Sequence, residues 1–267
     1  MELITILLSG LLTLISPVGF VVDQVAEDNI RSRLISADEL VVRIDNAPSF
    51  QLLQGKVDHV RVAGRGIVPV ENLRIAAFEL ETDTVDFNLE RLRRGDLQLD
   101  APFQAAMRLE LDEQDINQFL ASPGVAERLS NLSFDFFSSR RDRRAQRYRL
   151  ENPQINFIGN NRLQIEVDIK DIVADEVLDV VIETGIAIAG GSDLRLVDPA
   201  IAVDGEPAPS QLVQQLIDGI NTRLNLQTLE TSGVMARVLE LKINESTTNL
   251  ALFARVEPSV LATEESP

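Results

Sequence analysis

From Leu97 to Leu111 the chain is apolar at every odd position, with Leu97, Leu99, Ala101, Phe103, Ala105, Met107, Leu109 and Leu111 alternating with a mostly polar set that includes Gln98, Asp100, Gln104, Arg108 and Glu110. A period of two predicts a strand with one buried face. Read as one strand, the segment spans about 46 Å. A strand of that length coils, and its apolar face needs a helix, a second sheet or a ligand over it.

The same pattern recurs along the chain. Leu40, Val42 and Ile44 alternate up to Asn46-Ala47-Pro48, and a turn is expected around Gly55. Val60 and Val62 lead into Gly64-Arg65-Gly66, read as a turn or bulge, and a long extended stretch follows over Leu73–Leu89. Arg93-Arg94-Gly95-Asp96 reads as the turn into Leu97. Further strands are predicted from Leu163, Ile165, Val167 and Ile169 after the turn Ile158-Gly159-Asn160-Asn161, and from Leu178, Val180, Ile182, Thr184, Ile186 and Ile188. Leu194–Val203 follows, with Pro199 marking an edge or bend, and Val234–Asn244 with Asn249–Val256 forms a hairpin.

Helical spacing appears at Val22, Val25, Ala26, Ile30 and Leu34. Asp112 begins a short helix as an N-cap, with Asp115 in the first turn and Ile116, Phe119 and Leu120 as the buried stripe. Val125, Leu129 and Leu132 suggest a second short helix. Pro209-Ser210 opens an amphipathic helix carrying Leu212, Val213, Leu216, Ile217, Ile220 and Leu224 on one face. The halves of the chain both read as long alternating strands followed by a helix.

Ahead of these elements, Leu3–Val22 holds twenty residues without a charge, about the length of a bilayer-spanning helix. Ser16-Pro17 and Gly19 interrupt it, Glu2 stands where a signal peptide carries basic residues, and no A-x-A cleavage site follows. An uncleaved anchor or membrane-embedded hairpin is favoured over an atypical signal segment or a helix packed in the protein's own sheet. Arg31 and Arg33 follow the segment, which under the positive-inside bias leaves the folded part cytoplasmic.

Composition narrows the chemistry. The chain of 267 residues has no Cys and no Trp, one Tyr, one His and a formal net charge of −17. The core is therefore aliphatic and Phe-built, and disulfides, thiol nucleophiles and Cys-ligated metals are excluded. The acidic balance argues against nucleic acid. Six arginines, Arg140, Arg141, Arg143, Arg144, Arg147 and Arg149, stand near a single acid, Asp142. A solvated hairpin tip is the favoured reading. Contact with anionic headgroups, through Arg143, Arg144 and Arg147, is the sharper alternative.

No G-x-S-x-G or Walker A sequence occurs, and His59, beside Asp58 and Arg61, reads as a surface histidine paired with a carboxylate. Carboxylate pairs such as Glu79 with Glu81 carry little information among 42 acidic residues. No catalytic residue, metal site or cofactor is expected.

The helix Val22–Leu34, the string Val42-Arg43-Ile44-Asp45-Asn46-Ala47-Pro48-Ser49-Phe50, the Gly55 segment with Val57-Asp58-His59-Val60-Arg61-Val62, and Leu111-Asp112-Glu113-Gln114-Asp115-Ile116-Asn117 together resemble the bacterial LmeA-like phospholipid-binding family. The resemblance covers roughly residues 20–255. It implies an envelope-associated protein tied to phospholipid binding, with a fold similar to tubular lipid-binding (TULIP) domains, and it carries over no catalytic residue. Many members begin with a basic-flanked signal or anchor, whereas this chain begins Met1-Glu2-Leu3.

These readings converge on an α+β protein of long, strongly curved antiparallel sheets covered by amphipathic helices, TULIP-like, with an apolar N-terminal segment. Residues 1–22 form the anchor or atypical signal, 23–260 a single domain of two related lobes, and 261–267 a frayed tail. The expected function is non-enzymatic phospholipid binding or lipid transfer at a bacterial membrane. The resemblance favours the periplasmic side of the envelope, and the cytoplasmic side stays open. Acyl chains are expected against Phe103, Met107, Leu109, Leu163, Ile165, Val167, Val180 and Ile182, with Leu216 and Ile220 on the covering helix. The alternative is a structural or scaffolding membrane-associated protein without a ligand cavity.

Overall fold

Alternation becomes strand through most of its predicted length. The computed structural model describes residues 22–46, 51, 54–92, 98–130, 148–210, 213–214, 217, 221 and 224–260. Two units divide the chain: Met1–Glu110 with Leu226–Glu240 and Leu250–Pro267, and Leu111–Asn225 with Leu241–Asn249.

In the first unit the strands are β1 (Glu39–Asp45), β2 (Lys56–Val57), β3 (His59–Val70), β4 (Leu73–Thr82), β5 (Val85–Asp86) and β6 (Phe103–Asp112), the last of which ends in the second unit. The main sheet has the order β1-β3-β4-β6-β13-β12, where β12 is Val234–Ile243 and β13 is Thr247–Val256. Antiparallel register puts Val42 opposite Val62, Val62 opposite Leu80 and Leu80 opposite Met107. Leu40, Val42, Val60, Val62 and Phe78 are buried, while the intervening Val41, Arg43, Arg61, Ala63 and Glu79 are exposed. The helix Val22–Arg33 packs on β1 and buries Ala26 and Ile30. Its Asp23 carboxylate accepts the backbone N–H of Ile44 at 2.9 Å, satisfying a donor on the edge strand.

Gly64-Arg65-Gly66 lies inside β3 rather than at its end. Gly66 has φ 56°, and a Cβ there would fall 1.9 Å from the Asp38 carboxylate. The β3–β4 register shifts only further along, between Ile67 and Val70, so it is the left-handed backbone and the close approach of Asp38 that require a glycine at position 66.

The long strand is shorter than its pattern. Ladder pairing begins at Phe103, and Leu99 pairs separately in a bridge to Phe87 while remaining buried. Pro102 removes an N–H and restricts Ala101, which ends the ladder there. Ten residues coil less than fifteen. The expectation of strong curvature is accordingly corrected, since the sheets are not strongly curled. The turn expected at Arg93–Asp96, together with Leu97, lies outside the described residues.

In the second unit β7 (Tyr148–Gly159), β8 (Arg162–Asp171), β9 (Glu176–Ala189), β10 (Asp193–Val203) and β11 (Glu206–Pro207) form an antiparallel sheet of order β11-β10-β9-β8-β7. Pro199 lies in the bulge between Val197 and Ala200, as its position in the pattern implied. Two helices, Glu113–Leu120 and Pro123–Ser130, lie against β7. Asp112 occupies the N-cap position but makes no side-chain capping bond, a correction to the sequence reading. Leu132 lies outside the described residues. Ser210, Val213, Gln214, Ile217 and Asn221 are helical, as predicted from Pro209 onward.

Candidate binding site

The β7–β10 sheet carries its β-branched residues in rows, which is where such side chains pack best. Ile155 faces Ile165, Ile165 faces Ile182, and Ile182 faces Ile201, one row across four strands. Val167, Val180 and Val203 form the next. Val180, Ile182 and Ile201 are buried as a cluster, against which Ile165, Val167, Ile169, Val203, Ala208 and Val213 pack. A second cluster, Phe157, Leu163 and Ile243, takes Ile116, Ile155, Ile165, Ile186 and Leu241.

Five of the residues singled out from sequence thus share one sheet face. Leu163, Val180 and Ile182 are buried, while Ile165 and Val167 are half-buried and keep accessible aliphatic surface. Thr184, opposite Leu163 on the same face, is fully buried. Its hydroxyl is used internally, with Gly185 O at 2.9 Å and Val197 O at 3.2 Å as acceptors, so the face presents no polar group there. Leu216 and Ile220, expected on the covering helix, lie outside the described residues; Val213 of the same helical stretch does pack on the valine and isoleucine cluster.

Phe103, Met107 and Leu109 belong to β6. Phe103 is buried, whereas Met107 and Leu109 are half-buried, opposite Leu80 and Phe78. They share the covered side of their sheet with Val62 through the Val62, Leu80, Met107 row.

Sequence reasoning missed a groove of about 590 Å³ in the first unit. Three consecutive residues from each of β3, β4 and β6 border it: Arg61 to Ala63, Glu79 to Glu81 and Ala106 to Arg108. Its floor is therefore the sheet itself. Small side chains at Ala63, Ala106 and Ala251 leave the space, and the exposed Val41 and Leu239 stand on the two edge strands. Arg61 bridges Asp45 at 2.6 Å and Glu81 at 3.0 Å. The hydrogen bond to Glu81, with Asp45 alongside, raises the guanidinium pKa further above its ordinary value, so this cation is permanent. These exposed positions fall on the polar beat of each strand, and only register brings the alanines together.

His59 is exposed, and its Nδ1 meets the backbone carbonyl of Asp58 rather than a carboxylate, a correction to the expected pairing. Among the described residues no cluster of three or more His, Asp or Glu is placed to hold a metal ion. No helix among them is long and apolar enough to cross a membrane. Leu3–Val21 and the arginines 143, 144 and 147 lie outside the described residues.

The geometry is that of an α+β protein with extended aliphatic sheet faces. The family model for LmeA-like phospholipid-binding proteins matches residues 15–253, and the chain belongs to that family. No curated protein and no solved structure matches it.

Proposed function

We propose that this protein binds phospholipid without turning it over, with acyl chains lying along the aliphatic face of β7–β10 in the manner of a tubular lipid-binding domain. Family membership supports phospholipid as the ligand. The observation that carries the location is the half-burial of Ile165 and Val167 directly opposite the buried Ile182 and Val180. Each methylene withdrawn from water there contributes about 0.8 kcal/mol, so an aliphatic lining suffices for affinity without directed polar contacts.

In this reading residues 23–260 act as one lipid-binding domain of two lobes, and the uncharged segment 1–22 holds the protein at a membrane of the cell envelope. Transfer between membranes follows if the bound lipid exchanges. Headgroup contact by Arg143, Arg144 and Arg147 would add about 1 kcal/mol per residue at an anionic surface. Their joint replacement by Gln then weakens binding to anionic vesicles at low salt and leaves neutral vesicles unaffected. Equal binding returns the cluster to a solvated role.

Native mass spectrometry of protein prepared without detergent tests the central claim. Co-purified phospholipid masses, exchangeable for labelled phospholipid, are expected. A clean apo mass with no uptake overturns the proposal and favours a scaffold whose faces are filled by its own side chains.

A further inference from the structure

The turn joining β8 to β9 is apolar where turns are normally polar. Ile172 is 42 % exposed, Val173 77 % and Val177 51 %, and Ala174 between them is also exposed. Isolated apolar residues on a surface need no explanation, but three large ones within six positions at one hairpin tip form a patch.

We propose that this tip is a membrane-docking element that dips into the outer layer of a phospholipid bilayer. The inference rests on the lipid-binding reading for the class of its partner. Three observations point to a bilayer rather than a protein. First, apolar side chains stand on both faces near the tip. Val177 pairs with Lys170, on the face opposite to the Ile169 and Leu178 pair, and Ile172 and Val173 lie beyond both. A protein partner covers one side of a hairpin, whereas a fluid hydrocarbon layer surrounds it.

Second, the apolar rows lead to the tip. Ile182 and Val180 are buried, Val167, Ile169 and Leu178 are half-buried, and Ile172 and Val173 are exposed. Among the apolar side chains, exposure therefore rises along β8 and β9 from the proposed acyl-chain face to the turn, with the buried Asp171 set between Ile169 and Ile172. An acyl chain leaving a bilayer at the tip crosses the Asp171 and Glu176 pair and then meets aliphatic surface along the rows behind it.

Third, the polar groups near the tip suit an interface. The Asp171 carboxylate, buried in the structure, turns inward and accepts the N–H groups of Val173 at 2.9 Å and Ala174 at 3.1 Å. This holds the turn in shape before contact and leaves fewer bare backbone donors to bury. Asp175 is tied to Lys170 at 3.2 Å, which offsets its charge. Arg149, exposed on β7, pairs with Lys170 one row behind the tip, at the depth where phosphate headgroups would lie. Glu176 is exposed and opposes Asp171, so insertion is shallow, with the aliphatic side chains below the headgroups and the carboxylates among them.

The chain has no cysteine, so Val173→Cys offers a unique labelling position. Full-length protein carrying an environment-sensitive fluorophore at position 173 is added to mixed phosphatidylcholine and phosphatidylglycerol vesicles. A blue shift and quenching by brominated acyl chains are expected. A label placed by Ala189→Cys, at the other end of β9, should show neither. A label introduced by Ala174→Cys should lose its shift when Ile172→Asp and Val173→Asp are added. A position-173 label that stays in water on vesicles, while native mass spectrometry still finds bound phospholipid, overturns the tip and leaves lipid binding standing. A label that inserts in protein that takes up no phospholipid supports the tip and removes the acyl-chain face instead. Blue-shifted emission already present in buffer places the tip in a protein interface and overturns the proposal.

Discussion

The side-chain amide of Asn117 completes both backbone hydrogen bonds of Ile155: Nδ2 donates to the carbonyl oxygen and Oδ1 accepts the N–H, each at 2.7 Å. Two residues along β7, the Phe157 N–H donates to the Glu113 carboxylate. β7 is the last strand of its sheet, so a helix supplies through side chains what a further strand would supply through backbone. The same helix brings Ile116 onto the Phe157 and Leu163 cluster.

Replacing Asn117 by Leu keeps its volume and removes both bonds. The expected cost is about 2 kcal/mol, because the Ile155 groups lose their partners while half-buried. Urea denaturation followed by circular dichroism measures it. The uncovered edge should also make the variant associate as concentration rises, seen by sedimentation velocity. An unchanged midpoint would show that water replaces the amide freely.

Asn161 occupies a left-handed turn, φ 59°, and its Oδ1 accepts the Ile243 N–H at 2.8 Å. Its own backbone carbonyl accepts the Ile186 N–H at 3.0 Å, so one residue ties the turn to two other strands. Asn161→Gly keeps the backbone conformation and loses the acceptor, whereas Asn161→Ala loses both. Alanine should therefore be less stable than glycine by about 1 kcal/mol, the usual cost of a left-handed residue with a Cβ. Equal midpoints for the two would show that backbone strain contributes nothing at this turn.

Much of this architecture was readable from alternation alone, because period two survives wherever one strand face is buried. Leu40 to Ile44, Leu163 to Ile169 and Leu178 to Ile188 all became strands. The reading failed where backbone chemistry intervenes, as at Pro102, which split one alternating run into a bridge and a strand. β7 went unrecognised for a related reason. Asn152, with φ 51°, and Pro153 sit in a bulge between Glu151 and Gln154 that shifts the alternation by a residue. The partners of β7 on the helix are distant in sequence, 38 residues from Asn117 to Ile155, and no local pattern announces them. The aliphatic face was legible as a set of residues, and its rows were not, since register is a property of pairs of strands.

Filling of that face by lipid should appear in stability. Ile182→Ala removes a buried side chain and should cost about 2–5 kcal/mol with or without ligand. Ile165→Thr, at a half-buried position, should cost less but should lower the phospholipid retained in native mass spectra. Phospholipid in hundredfold excess over its dissociation constant stabilises the parent by about 2.7 kcal/mol, and the threonine variant should gain less. Equal thermal shifts in both would remove Ile165 from the ligand's path.

The uncharged segment before Val22 is expected to hold the protein at a membrane without contributing to its fold. The helix Val22–Arg33 is different: Ala26 and Ile30 are 0 % and 1 % exposed, and Asp23 satisfies the Ile44 N–H. Arg31 adds a bond to the Leu40 carbonyl at 3.4 Å and an ion pair with Glu27 at 3.1 Å. A chain starting at Val22 should keep its β-sheet circular dichroism and cooperative melting, and should move from the membrane pellet to the supernatant. A chain starting at Ile35 loses the helix, exposes Leu40 and Val42, and should lose several kcal/mol, since each buried aliphatic side chain contributes roughly 1.5–3 kcal/mol. It should melt at least ten degrees lower or aggregate. Were the first truncation to aggregate as readily as the second, residues 1–21 would belong to the core, and the proposed membrane anchor would be withdrawn.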